Sequence, residues 1–167
     1  ITVSQSTITS SYFYELPVAS AQVKSCLLLA ALASNNNINL IEPETTRDHS
    51  ERMIEYFGGD INYGDDFKKG SIQFNYSELQ AKSNYKIVGD FSSASFIIVA
   101  TLISNDSEVV IKNVGLNKTR CGLLNVLQMM GAEIQIKQRN VVCNEEVGDI
   151  LVKSSQLEGV EIPNAII

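Results

Sequence analysis

One histidine and three cysteines in 167 residues leave little from which to assemble a metal centre or a disulfide framework. Cys26, Cys121 and Cys143 are widely spaced and set in apolar stretches, so they are expected to be reduced core thiols of a cytosolic, cytoplasmic protein. None has an adjacent base that would make it a nucleophile. His49, the single imidazole, sits in "TRDHSER" between charged residues and is expected on a helix surface, with no triad and no metal to serve. Cations are scarce as well: 13 Lys and Arg face 19 Asp and Glu, for a net charge of -6. That balance excludes a general nucleic-acid or anionic-membrane surface, although a local basic cluster could still hold an anionic small molecule, because fields are screened within roughly 8 Å. The longest apolar runs, 26–33 and 96–103, are far shorter than the roughly 20 residues that span a bilayer. No basic stretch is followed by an apolar one, so no signal peptide is expected, and the start at Ile1 suggests a piece of a longer chain. Walker and Rossmann glycine patterns are absent too.

What is present is a core and a repeat. With 44% hydrophobic residues the chain can bury one medium domain or two small lobes. "SCLLLAALASNNNINLIEP" from Ser25 aligns without a gap on "SFIIVATLISNDSEVVIKN" from Ser95, and "TTRDHSERMIEYFGGDI" parallels "KTRCGLLNVLQMMGAEI". Each copy reads as an apolar helix, a polar turn, a strand, an amphipathic helix closed by glycine, and further strands. The runs 26–33 and 94–103 are apolar on nearly every side and are expected to be helices covered all round. Met53, Ile54 and Phe57, like Leu123, Val126, Leu127 and Met130, recur at helical spacing beside polar faces, so these helices are expected on the outside. Thr46 and Thr119 are candidate N-caps, and Gly58 and Gly131 stand where a left-handed residue would end each helix. Alternation at "SIQFNY" (Ile72, Phe74, Tyr76) and "AEIQIK" (Ile134, Ile136) predicts strands with one wet face. Asp65, Asp66, Lys68, Lys69 and Gly70 read as a polar hairpin turn. In "VGDFSS", Gly89 is expected to permit an unusual backbone turn and Asp90 to cap the next helix, dividing the chain into 1–88 and 89–167.

The start of the first helix, "LPVASAQVKS", carries the chemistry. With Ser20 or Ala19 at the N-cap, free first-turn N–H groups favour an anion by roughly 0.3–1 kcal/mol at a surface and up to about 2 kcal/mol when partly buried. The Ser20 hydroxyl and the Gln22 amide can add directional hydrogen bonds to a phosphate or to sugar-like hydroxyls. An ordinary capped helix with solvated Gln22 and Lys24 explains the same residues, and local physics favours it. Arg47 is a cation at the positive start of the second helix, where a negative partner is wanted; Asp48 and Glu51 are the nearby answer.

"LPVASAQVKS", "EPETTRDHSERMIEYFG", "VGDFSSASF" and "NVGLNKTRCGLLNVLQMMGAEI" together resemble the EPSP synthase family over almost the whole chain, and the A-Q-V-K form resembles its bacterial glyphosate-tolerant class. The related UDP-N-acetylglucosamine enolpyruvyltransferases share the repeat but are not expected to carry S-A-Q-V-K-S or T-R-D-H. The resemblance implies an α/β (α+β) enolpyruvate transferase-like fold with inside-out α/β barrel-type lobes of βαβαββ repeats, residues 1–88 and 89–167 each giving one repeat of a partial lobe. It implies a transferase of the shikimate pathway, in aromatic amino-acid biosynthesis. The enolpyruvyl group of phosphoenolpyruvate passes to the 5-hydroxyl of shikimate 3-phosphate with release of phosphate, and no cofactor or metal takes part. By position, Ser20, Ala21 and Gln22 match the segment that binds shikimate 3-phosphate, Gln22 also matching a phosphoenolpyruvate contact, and Arg47 matches an arginine on shikimate 3-phosphate. Lys24 matches no binding role, so a solvated or structural lysine is expected. Arg120, the counterpart of Arg47, has a structural context. The family's lysine-serine-arginine motif, glycine-containing loop and first arginine would precede Ile1, and its catalytic aspartate, lysine, glutamate and further arginines would follow Ile167. No catalytic residue is therefore expected within 1–167, and the isolated chain should be inactive, with self-association through uncovered edges. The full-length enzyme is expected to be a monomer. A non-catalytic binding or scaffold module of the same repeat fold is the competing expectation.

Overall fold

A computed structural model describes residues 11–64 and 70–163; Asp65, Asp66, Lys68 and Lys69 of the expected hairpin turn lie outside the described residues. The chain divides into two compact units, Ile1–Ser83 and Asn84–Ile167.

The first unit runs β1 (Tyr12–Glu15), α1 (Ala21–Ala33), β2 (Ile38–Ile41), α2 (His49–Tyr56), β3 (Asp60–Tyr63) and β4 (Ser71–Asn75). Its sheet has the order β1-β2-β4-β3, with β1 parallel to β2 and the other pairs antiparallel. The parallel pair needs a crossover, and α1 supplies it. Alternate residues of β2 and β4 point inward, so that Ile38, Leu40, Ile72 and Phe74 meet Leu28 and Ala31 of α1 and Ile54 of α2 in one core.

The second unit runs α3 (Phe91–Ile103), β5 (Glu108–Gly115), α4 (Gly122–Met129), β6 (Glu133–Val142) and β7 (Glu145–Lys153). Its sheet has the order β5-β7-β6, all antiparallel. Gly89 makes a single parallel bridge to Val114 of β5, in the place that β1 takes beside β2. The two units therefore repeat one βαβαββ path, the first strand of the second copy being reduced to that bridge. Phe91, Ala94, Ile98 and Leu102 of α3 pack with Leu124, Leu127, Ile150 and Val152 in a separate core.

Helix ends follow local chemistry, with corrections. Ser20 and Asp90 are the N-caps of α1 and α3, as expected. Thr46 and Thr119 are not caps. Thr46 donates instead to Glu42 Oε2, and Thr119 to Asn117 Oδ1 at 2.7 Å, so that α2 begins after Asp48 and α4 after Cys121. Gly58 and Gly131 lie at φ 91° and 89° and close α2 and α4 with paired bonds: Gly59 N to Ile54 O and Ala132 N to Leu127 O, 2.9 and 3.0 Å. Gly89 does not adopt the left-handed region. It is glycine because a Cβ there would stand 2.9 Å from Asn113 O, too close for the β5 bridge.

Two further expectations are corrected. α1 and α3 supply both cores, yet within this chain they are not covered all round: Leu29 is 54% exposed, Phe96 79% and Ile103 71%. Nor are all the thiols core residues. All three are free; Cys26 is exposed, since it faces away from the Leu28 and Ala31 stripe, while Cys121 and Cys143 are half-buried and Cys121 packs against the core of the second unit. Among the described residues no helix is long and apolar enough to cross a membrane.

Candidate functional site

Ser20 has extended backbone at φ -147° and turns the chain into α1, where its Oγ accepts a bond from Val23 N at 3.4 Å and its carbonyl accepts from Lys24 N at 3.1 Å. The amides of Ala21 and Gln22 precede the first intrahelical bond and remain at the positive end of the helix. Beside them, the loop from β2 to α2 brings Arg47 forward. Ala21, Gln22 and Arg47 line one open depression of about 680 Å³, together with Ser25, Cys26, Leu29, His49 and Ser50. Ser20, half-buried, adjoins it as the cap. The residues singled out in sequence thus meet around one helix start. Ser25 and Ser50 were not singled out; their hydroxyls lie 2.6 Å apart and tie α1 to α2. Helical spacing from Gln22 could have placed Ser25, Cys26 and Leu29 on the same face.

Of the two expectations for Lys24, solvated or structural, the structure agrees with the second. The side chain is 1% exposed, and its ammonium lies 3.1 Å from Glu42 Oε1 and 2.7 Å from Glu51 Oε1. Burial holds the Glu51 carboxyl above its ordinary range, against the opposing pull of Lys24. Asp48 and Glu51, the nearby acids, are thus committed elsewhere: Asp48 Oδ2 meets Arg52 Nη2 at 2.8 Å and Glu51 meets Lys24. Among the described residues no hydrogen bond or ion pair involves the Arg47 guanidinium.

The second unit shows the same corner with a different outcome. Asp90 stands at the N-cap of α3, accepting from Ser92 N and Ser93 N at 3.2 and 2.9 Å. Arg120, the counterpart of Arg47, reaches it at 3.4 Å and also meets the Ser92 hydroxyl. A carboxylate of the chain itself fills the position between helix start and arginine; in the first unit that position holds the neutral Ser20. Among the described residues no group of three or more His, Cys, Asp or Glu side chains is placed to hold a metal ion.

The model of the EPSP synthase (3-phosphoshikimate 1-carboxyvinyltransferase) family matches residues 1–166. The chain belongs to the EPSP synthase family. Among its relatives, a protein of Petrotoga mobilis named 3-phosphoshikimate 1-carboxyvinyltransferase is 51% identical over 158 residues, covering 95% of this chain and 36% of the relative. One of the same name from Carboxydothermus hydrogenoformans is 49% identical over 154 residues, covering 91% of this chain and 35% of the relative. The EPSP synthase of Acinetobacter baumannii superposes with a TM-score of 0.84 at 35% identity, over 94% of this chain and 35% of that one. The chain thus has the enolpyruvyl transferase fold of EPSP synthases and spans about a third of the length of the relatives it matches.

Proposed function

We propose that residues 1–167 are the central part of a 3-phosphoshikimate 1-carboxyvinyltransferase and supply one wall of its shikimate 3-phosphate site. In the full-length enzyme the 5-hydroxyl of shikimate 3-phosphate adds to C2 of phosphoenolpyruvate. The C–O bond to phosphate breaks as the enolpyruvyl ether forms, and the proton gained in the addition is lost again in the elimination. Residues of this chain bind and orient; Ser20, Ala21, Gln22 and Arg47 hold shikimate 3-phosphate, and Gln22 also reaches phosphoenolpyruvate. Both substrates are anions, the chemistry that a helix start and an arginine favour. A cytoplasmic, monomeric enzyme is the setting we assign.

The observation that carries this reading is the contrast between the two units. Where Asp90 supplies an anion to Arg120 and the α3 start, Ser20 supplies none to Arg47 and the α1 start, which leaves room for an anionic ligand. Ser20→Asp in the full-length protein tests it directly. Aspartate is as good an N-cap as serine, so folding is retained, while the new carboxylate pairs with Arg47 and repels the substrate. The expected result is an unchanged melting temperature with shikimate 3-phosphate binding weakened about 100-fold, since like-charge juxtaposition costs several kcal/mol. Native affinity in Ser20→Asp, measured by calorimetry, would remove this corner from the site.

A further inference from the structure

We propose that Lys24 is a positioning residue, the buried post that fixes the Arg47 loop against the start of α1; the inference rests on the reading of Arg47 as a shikimate 3-phosphate contact. The loop between β2 and α2 leaves the sheet at Glu42 and enters the helix just before Glu51. One ammonium holds both ends of it, at 3.1 Å from Glu42 and 2.7 Å from Glu51. Thr46, the neighbour of Arg47, is clipped to the second oxygen of the same Glu42. Lys24 itself stands on the first turn of α1, its amide bonded to Ser20 O at 3.1 Å. The helix start that carries Ala21 and Gln22 and the loop that carries Arg47 therefore share one internal reference point, with Ser25 and Ser50 as a second tie at 2.6 Å. Stability alone does not call for a cluster of this kind, since a buried ion triad replaced by neutral groups of similar size is often as stable or more so. A fixed geometry does, because a displacement of about 1 Å at a binding group can cost as much as 100-fold in rate.

The test uses the full-length protein and the triple variant Lys24→Met, Glu42→Gln, Glu51→Gln, which removes all three charges together and leaves no buried ion unpaired. Its melting temperature is expected to stay near that of the native protein. KM for shikimate 3-phosphate should rise about tenfold while KM for phosphoenolpyruvate changes less than about twofold. Adding Arg47→Ala to the triple variant should then cost much less than Arg47→Ala in the native background, because a mispositioned arginine has little left to lose. Native KM for shikimate 3-phosphate in the triple variant, or an equal effect of Arg47→Ala in both backgrounds, overturns the inference. Should the triple variant fail to fold, Thr46→Val, which releases only the clip to Glu42, carries the same test; there a native KM, or full additivity with Arg47→Ala, overturns it. Arg47→Ala in the native background separates the two readings. If it leaves KM for shikimate 3-phosphate unchanged, the assignment of Arg47 falls and this inference with it. If it raises KM while the triple variant does not, only the role of Lys24 falls.

Discussion

Asp90 and Ser20 cap equivalent helices and differ in charge, and that difference has a pH signature. The Asp90 carboxyl lies below its ordinary range, chiefly because the Ser93 hydroxyl and then the Ser93 and Ser92 amides bond its ionised form, with Arg120 adding to them. A depressed pKa means that the cap stabilises the fold above the unfolded value of 3.8 and that this contribution disappears as pH falls through the folded value. Asp90→Asn should therefore have a melting temperature that varies less than the native one between about pH 5 and pH 3. Parallel curves in thermal unfolding would show that the cap's charge is immaterial. The cap itself was legible, because Asp-x-x-Ser before an apolar run is a local pattern. Lys24 was not. Its partners Glu42 and Glu51 come from β2 and α2, and only the packing of those elements against α1 turns an apparently solvated lysine into a buried one.

The ends of α2 and α4 separate what local sequence can dictate from what it cannot. Gly58 and Gly131 were readable because a positive φ is a property of one residue. Thr46 and Thr119 were misread because each has a competing acceptor earlier in the chain, Glu42 four residues before Thr46 and Asn117 two residues before Thr119, that claims its hydroxyl. Gly131 gives a clean measure of the turn's contribution, since an added Cβ would meet only Gln156 O at 3.6 Å, an ordinary contact. Gly131→Ala should lose about 1–2 kcal/mol from backbone strain alone, seen as a lower urea midpoint with an unchanged slope. A midpoint equal to the native one would mean that the helix end relaxes without cost.

For the molecule as a whole, the repeat was visible because two apolar helices and two amphipathic ones recur in one order, and each copy folds around its own core. The extent of coverage was not: an all-apolar helix says that its faces need partners, not that residues of the same segment provide them, and Phe96, Ile97 and Ile103 remain exposed. Consistent with a span of about a third of its relatives, the isolated chain is expected to release no phosphate from shikimate 3-phosphate and phosphoenolpyruvate together, since groups that act jointly on a transition state do not act in part. Phosphate above the uncatalysed background would overturn that expectation. The β6 and β7 pair carries a different consequence, for time and not for binding. Cys143 and Asn144, at φ 51° and 63°, form a two-residue connection whose twist matches the strands on either side, and those strands pair along most of their length. Contacts so close in sequence close within about 1–10 μs, whereas the parallel β1 and β2 pair must wait for α1 to cross over. The hairpin of the later copy is therefore expected to form ahead of the parallel pair of the earlier one, against the order of the chain.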